Sequence, residues 1–130
     1  MNGCVFCRIV KGEIPCYKIY EDDKVLAFLD IANDIPGHTL VIPKQHYTNI
    51  LSCEDKTLTH VISVVKKIGL HYVEKCGYDS VNTITVGEDV QHFHVHILPR
   101  KEGDGLKIFP RYENCGADLK ELCEKLKLKG

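Results

Sequence analysis

This chain of 130 residues lacks what would place it in a membrane or on a nucleic-acid polymer. No stretch approaches the roughly 18 consecutive apolar residues that a membrane span requires. Seventeen lysines and arginines face 18 aspartates and glutamates, a net charge of −1, so no basic excess exists to hold a polymer by its phosphates. A local pocket for a small phosphate compound stays open. The opening Met1-Asn2-Gly3-Cys4 shows no charged start leading into an apolar run, and no signal peptide is expected. Repeats, low-complexity tracts and Pro/Gly/Ser-rich linkers are missing too. With nothing to divide it, the chain 1–130 reads as one domain, long enough to bury a core. The seven cysteines are an odd number without a secretion signal. A disulfide framework is therefore not expected, and a reducing, cytoplasmic setting is. Cys16, Cys53, Cys76, Cys115 and Cys123 are scattered without ligand spacing and read as small buried groups or idle thiols.

What is present alternates strand and helix signals. Cys4 to Val10 suits a short helix stopped by Gly12 and Pro15. Lys18–Tyr20 and Val25–Leu29 read as strands around a turn at Glu21-Asp22-Asp23, and His38–Pro43 as a third strand after the Pro36-Gly37 turn. Ser52 with Asp55 resembles a capping box before a long helix. There Leu58, Val61, Ile62, Val65, Ile68 and Tyr72 recur at helical spacing until Gly77. Val81–Val86 is a fourth strand, and His92–Leu98, closed by Pro99, a fifth. Gly103–Gly105 and Pro110 mark a loop. Leu119, Leu122, Cys123 and Leu126 predict an amphipathic C-terminal helix. The sum is an α+β fold: about five strands, mainly antiparallel, packed on one long helix, with a helix at the C-terminus.

The densest chemistry lies in His92-Phe93-His94-Val95-His96. On an extended segment the three imidazoles share one face, while Phe93, Val95 and Ile97 face the other way into a core. Three histidines with no joint role are a poor use of one face, since they repel when protonated and add little packing. A three-histidine metal site is a second reading. Positions i and i+4 of a straight strand lie about 13 Å apart, however, which is wide for one ion. The third reading is a nucleophilic imidazole whose neighbours orient it and move protons. His60 and His71 fall on the long helix, away from these motifs, as packing or solvent-facing residues.

Cys4 and Cys7 form a Cys-x-x-Cys pair. A redox pair normally follows a strand within a βαβ unit, and here only three residues precede it. A metal site needs two further ligands, for which histidine is the natural choice.

Taken with its surroundings, His92-Phe93-His94-Val95-His96-Ile97-Leu98 resembles the signature of the histidine-triad (HIT) family, three histidines alternating with apolar residues. Cys4–Val10 with Gly12-Glu13-Ile14-Pro15 is similar to that family's N-terminal segment. Val25–Asp30 with Ile31, then Pro36-Gly37-His38-Thr39-Leu40-Val41-Ile42-Pro43-Lys44 and His46, is similar to its central region, and Pro99-Arg100 fits after the triad. The resemblance covers roughly residues 4–105.

It implies a HIT-like fold that pairs into a homodimer through joined sheets. The implied activity is hydrolysis or transfer of nucleotidyl groups from purine nucleoside phosphoramidates, acyl-nucleotides or dinucleoside polyphosphates. His94 would be the nucleophile and form a nucleotidyl-histidine. His96 would assist the phosphate oxygens or leaving group, His38 would hydrogen-bond near His94, and Asp30 would hold the ribose hydroxyls. In one branch of the family the Cys-x-x-Cys joins two histidines around a structural zinc, which assigns one Zn²⁺ per chain to Cys4, Cys7, His46 and His92. One stretch departs from the pattern. Where the family commonly has Asn-x-Gly-x-x-Ala-Gly-Gln-x-Val, residues 81–90 align Gly87 and Val90 but place Glu88 at the glutamine. A carboxylate there repels a polyanion, so no phosphate contact is assigned to Glu88 or Asn82. The altered loop also favours a second reading, a nucleotide-binding regulatory or adaptor protein with weak or no catalysis.

Overall fold

The computed structural model describes residues 3–107 and 112–128; Pro110 of the expected loop lies outside them. The order is α1 (Val5–Val10), β1 (Lys18–Glu21), β2 (Val25–Leu29), β3 (Thr39–Pro43), α2 (Asp55–Lys75), β4 (Ser80–Ile84), β5 (Val95–Arg100) and α3 (Leu119–Leu126). The strands form one five-stranded sheet in the order β1-β2-β3-β5-β4. Every pairing is antiparallel. No helix among the described residues is long and apolar enough to cross a membrane.

Strand alternation sorts the core onto two faces. Val25, Ala27, Val41, Phe93, Val95 and Ile97 pack with Val61, Val64, Val65, Ile68 and Tyr72 of α2. The opposite parity, Leu26, Phe28, Leu40 and Ile42, packs with Phe6 of α1. β2 and β3 are thus covered on both sides, which explains why they read as unbroken apolar runs. Each fully buried Val or Ile contributes about 1.5–3 kcal/mol.

Several expected boundaries shift, each for a local reason. α2 starts at Asp55 with Glu54 as its N-cap and no side-chain cap bond. The expected Ser52–Asp55 box does not form, because the Ser52 hydroxyl donates to the Asn49 carbonyl and accepts from the Asn49 N–H. Ile62 is 48% exposed, and Val64 is buried among the other core positions of α2. β4 ends at Ile84, two residues early. β5 begins only at Val95 and continues through Pro99, which pairs with Val81 of β4. Proline is tolerated there because β5 has run past the paired part of β3, which reaches Thr39 opposite Ile97. α3 forms with Asp118 as its N-cap, but buries none of its residues.

The turn before β3 positions the site. Ile35-Pro36-Gly37-His38 closes with the His38 N–H on the Ile35 carbonyl at 3.0 Å, and Gly37 has φ +81°. Proline at the second position and a left-handed glycine at the third make a type II turn. A Cβ on Gly37 would stand 3.0 Å from both the Pro99 Cγ and the Tyr78 hydroxyl, so glycine is required by space as well as by backbone.

Candidate functional site

The histidine segment enters the sheet in two parts, with His92 and His94 before β5 and His96 within it. The alternation of faces survives: Phe93 joins the α2 core, while His92 and His94 meet the ring of Phe6 edge-on, at 5.8 and 5.2 Å between centroids. The His94 and His96 rings meet edge to face, with centroids 4.8 Å apart. His94 is 2% exposed and His92 fully buried.

A buried imidazole is defined by what each nitrogen meets. The His94 Nδ1–H donates to the His92 carbonyl at 2.7 Å, leaving Nε2 as the lone-pair nitrogen. Among the described residues that Nε2 has no hydrogen-bond partner, and an Asp89 carboxylate oxygen lies 3.7 Å from it. The Thr85 hydroxyl donates to the His94 carbonyl at 2.8 Å and pins the segment. His38 lies beside His96 rather than His94, Nε2 to Nδ1 at 2.8 Å, because it immediately precedes β3, whose Leu40 pairs with His96 of β5. The other nitrogen of His38 donates to Asp34 at 2.8 Å. Hydrogen bonding from His38 holds the Asp34 carboxyl below its ordinary range. Burial lowers His96, and the neighbouring His94 and His38 add to the effect.

Asp30 does two things. Its Oδ1 accepts from the Ala32 N–H at 2.9 Å, capping the turn after β2, while Oδ2 lies 3.7 Å from His38 Nε2. Asp30 also lines a cavity of about 340 Å³ with Phe6, Ile9, Phe28, Leu40, Val90, His94 and His96. A second cavity, of about 450 Å³, is lined by Asp34, Ile35, His38, Ile84, Val86, Glu88, Asp89, His96 and Leu98. His96 and Asp89 belong to both.

The four expected metal ligands also come together. Cys4 Sγ is 3.3 Å and Cys7 Sγ 3.6 Å from His92 Nδ1, and Cys7 Sγ is 3.3 Å from His46 Nδ1. The two Nδ1 atoms are 3.2 Å apart. A tetrahedron built on Zn–S and Zn–N bonds has edges of about 3.3–3.8 Å, so the set fits one ion of that size. The His92 Nε2–H donates to the Pro43 carbonyl at 2.8 Å, which leaves Nδ1 unprotonated and turned toward the sulfurs. The local fold supports this arrangement, since Cys4 caps α1 and its sulfur accepts the Cys7 N–H at 3.4 Å. Burial pushes the Cys7 thiol up and His92 down; a bound cation would reverse the first and reinforce the second, since both ligands bind it without their proton.

Asn82 stays out of the site, accepting a 2.6 Å hydrogen bond from Arg100. His60 donates to Asp22 at 2.8 Å and packs rather than reacts, and His71 is exposed on α2. The residues missed in the sequence are Phe6, Asp34, Thr85 and Asp89. Asp34 stands four residues before His38 and Asp89 three before His92, spacings in loops that carry no periodic signal.

A five-stranded antiparallel sheet with clustered histidines on one face, beside a Cys₂His₂ set, defines the class: α+β proteins of histidine-triad architecture, in a branch able to bind a metal. The HIT domain family matches residues 11–103, and the chain belongs to that family. It is 42% identical over 130 residues to an uncharacterized HIT-like protein of Methanocaldococcus jannaschii, covering 95% of this chain and 98% of that one. It is 36% identical over 134 residues to the adenosine 5′-monophosphoramidase of Schizosaccharomyces pombe, covering 98% of each. Among solved structures, a zinc-bound histidine-triad family protein of Mycobacterium smegmatis matches with a TM-score of 0.76 at 33% identity, over 86% of this chain and 85% of that one.

Proposed function

We propose that the chain hydrolyses or transfers nucleotidyl groups, with purine nucleoside phosphoramidates, acyl-nucleotides or dinucleoside polyphosphates as the substrate class. The observation that carries this reading is the His94 ring, buried, held through Nδ1–H by the His92 carbonyl, and lining the cavity of about 340 Å³. The similarity to a monophosphoramidase adds to it. The apolar cavity around Phe6, Phe28 and Leu40 takes the nucleoside, and Asp30 Oδ2 takes the ribose hydroxyls.

In the first step the Nε2 lone pair of His94 forms a bond to the α-phosphorus as the bond to the leaving group breaks. The bonding electron pair departs with the leaving atom, which collects a proton from the His96 side. His38 bonds Asp34 through Nδ1 and His96 Nδ1 through Nε2, and this hydrogen-bonded chain moves the proton by way of His96 to the leaving group. In the second step water attacks phosphorus and the N–P bond breaks. His94 regains its lone pair, and the water's proton returns through His96.

The metal set is proposed to hold one structural Zn²⁺ per chain on Cys4, Cys7, His46 and His92, as the zinc-bound relative suggests. It supplies no step; it fixes the segment whose carbonyl orients His94. The chain is further proposed to act in the cytoplasm, as a homodimer joined through the free edge of β4. Exposed Ile62, Leu70 and Val73 on α2 support that pairing, and light scattering would give the mass of two chains. No nucleic-acid polymer is proposed as a partner.

The test is incubation with adenosine 5′-phosphoramidate, quenching, and mass spectrometry. The expected result is an AMP adduct on His94, with His94→Ala losing the adduct and about 10³-fold or more in kcat while still binding AMP. Binding by the wild-type protein without adduct or turnover would instead favour the regulatory or adaptor reading, to which the carboxylates of Glu88 and Asp89 lend weight.

A further inference from the structure

The mechanism leaves one neighbour of the reacting atoms unused. Asp89 holds a carboxylate oxygen 3.7 Å from His94 Nε2, and that nitrogen, on a ring 2% exposed, has no hydrogen-bond partner among the described residues. Asp89 lines both cavities, at the junction where a phosphorus bonded to Nε2 would sit. The cavity of about 340 Å³ contains His94 and an apolar wall; the one of about 450 Å³ lacks His94 and lies beyond His96 and Asp89. With the nucleoside in the first, displacement at phosphorus sends the leaving group toward the second.

That second cavity carries charge of one sign. Asp34, Glu88 and Asp89 line it, no lysine or arginine among the described residues does, and Ile35, Ile84, Val86 and Leu98 supply the rest with His38 and His96. Asp34 is engaged with His38, whereas Glu88 has no salt-bridge partner among the described residues. A polyphosphate leaving group would bring several negative charges against these carboxylates. An amine that carries a further ammonium would be attracted, and its carbon chain would lie on the apolar floor.

Resting on the hydrolase reading, we propose that Asp89 and Glu88 are specificity-determining residues that select nucleotides by leaving-group charge, favouring P–N-linked amines with a cationic tail and rejecting anionic ones. The chemistry is unchanged: the P–N bond breaks, its electron pair stays on the amine nitrogen, and that nitrogen takes the proton delivered from His96. Only the charge at the far end of the amine is read.

Three adenosine 5′-phosphoramidates of matched length test this, with ethylenediamine, ethanolamine or glycine as the amine, ending in an ammonium, a hydroxyl or a carboxylate. The expected order of kcat/KM is ammonium above hydroxyl above carboxylate. One unit charge in a partly solvated cleft gives about tenfold per step, shrinking as salt is raised. In Asp89→Asn/Glu88→Gln the three values should converge to within about threefold. Equal values for the three in the wild-type protein, or an unchanged spread in the double variant, would overturn charge selection while leaving the hydrolase reading intact. No turnover of any of the three would overturn both.

Discussion

One carboxylate ties the β1–β2 hairpin to the long helix. Asp22 accepts the N–H groups of Lys24 and Val25 on one oxygen, and Tyr20 and His60 on the other. Burial works against its charge, but these hydrogen bonds outweigh it and bring the carboxyl from 3.8 down to about 2. A folded-state value below the unfolded one means stability that is complete above about pH 4 and lost as pH falls through about 2. Asp22→Asn keeps an oxygen for the backbone but cannot accept from both side chains. It should cost about 1–2 kcal/mol near pH 6, and urea unfolding should show the gap from wild type closing between about pH 4 and 2. A gap constant with pH would assign the effect to shape instead of charge. Asp30 shows how far single residues are legible. The family resemblance implies a ligand to a sugar; the structure engages one oxygen as a turn cap on the Ala32 N–H and leaves the other 3.7 Å from His38 Nε2. His38 was legible as a site residue, but its partner was not: the pairing with His96 follows from β3 lying beside β5, a register that no local pattern encodes.

Elements were more readable than their ends. The alternation that separates Phe93, Val95 and Ile97 from the histidines holds although the hydrogen-bonded strand begins only at Val95, because an extended backbone keeps its two faces without a partner strand. On α2 the period was right and its width was not. Ile62 satisfies the spacing and remains 48% exposed, whereas Ile68, further along the helix, is 4% exposed against the sheet. Truncation should separate them: Ile68→Ala is expected to cost about 2–5 kcal/mol in chemical denaturation of the isolated chain and Ile62→Ala less than about 1. If Ile62→Ala proves as costly, the face it lies on is covered in solution, which the proposed pairing along β4 would explain. α3 carries the same lesson further. Its apolar spacing was legible, yet Leu119 and Leu126 stay 80% and 70% exposed, since amphipathic pattern specifies a helix without supplying a surface to cover it.

At the scale of the whole molecule, the Cys₂His₂ set connects parts far apart in the chain: the start of α1, the loop after β3 and the approach to β5. The sequence carried the two cysteines as a pair, but only the family resemblance joined them to His46 and His92, because spacings of 39 to 88 residues hold no local signal. The set adds an anchor to α1, only six residues long, beyond the packing of Phe6, Ile9 and Val10. A bound ion would therefore stabilise the fold by linkage, about 2.7 kcal/mol when free zinc is a hundredfold above its dissociation constant. Chelation at neutral pH should lower Tm by roughly 10 °C, and readdition of zinc should restore it. Cys7→Ser should melt near the chelated value and respond to neither treatment. Amide exchange should locate the change: protection lost on chelation at residues 5–10 and 92–94, with β2 and β3 unaffected because both of their faces are packed without the ion. Loss spread evenly over the sheet would mean that the ion holds the whole core together. Equal Tm with and without zinc would mean that the four side chains hold no stabilising ion, and that hydrogen bonds among thiols and imidazoles alone fix the segment whose carbonyl orients His94.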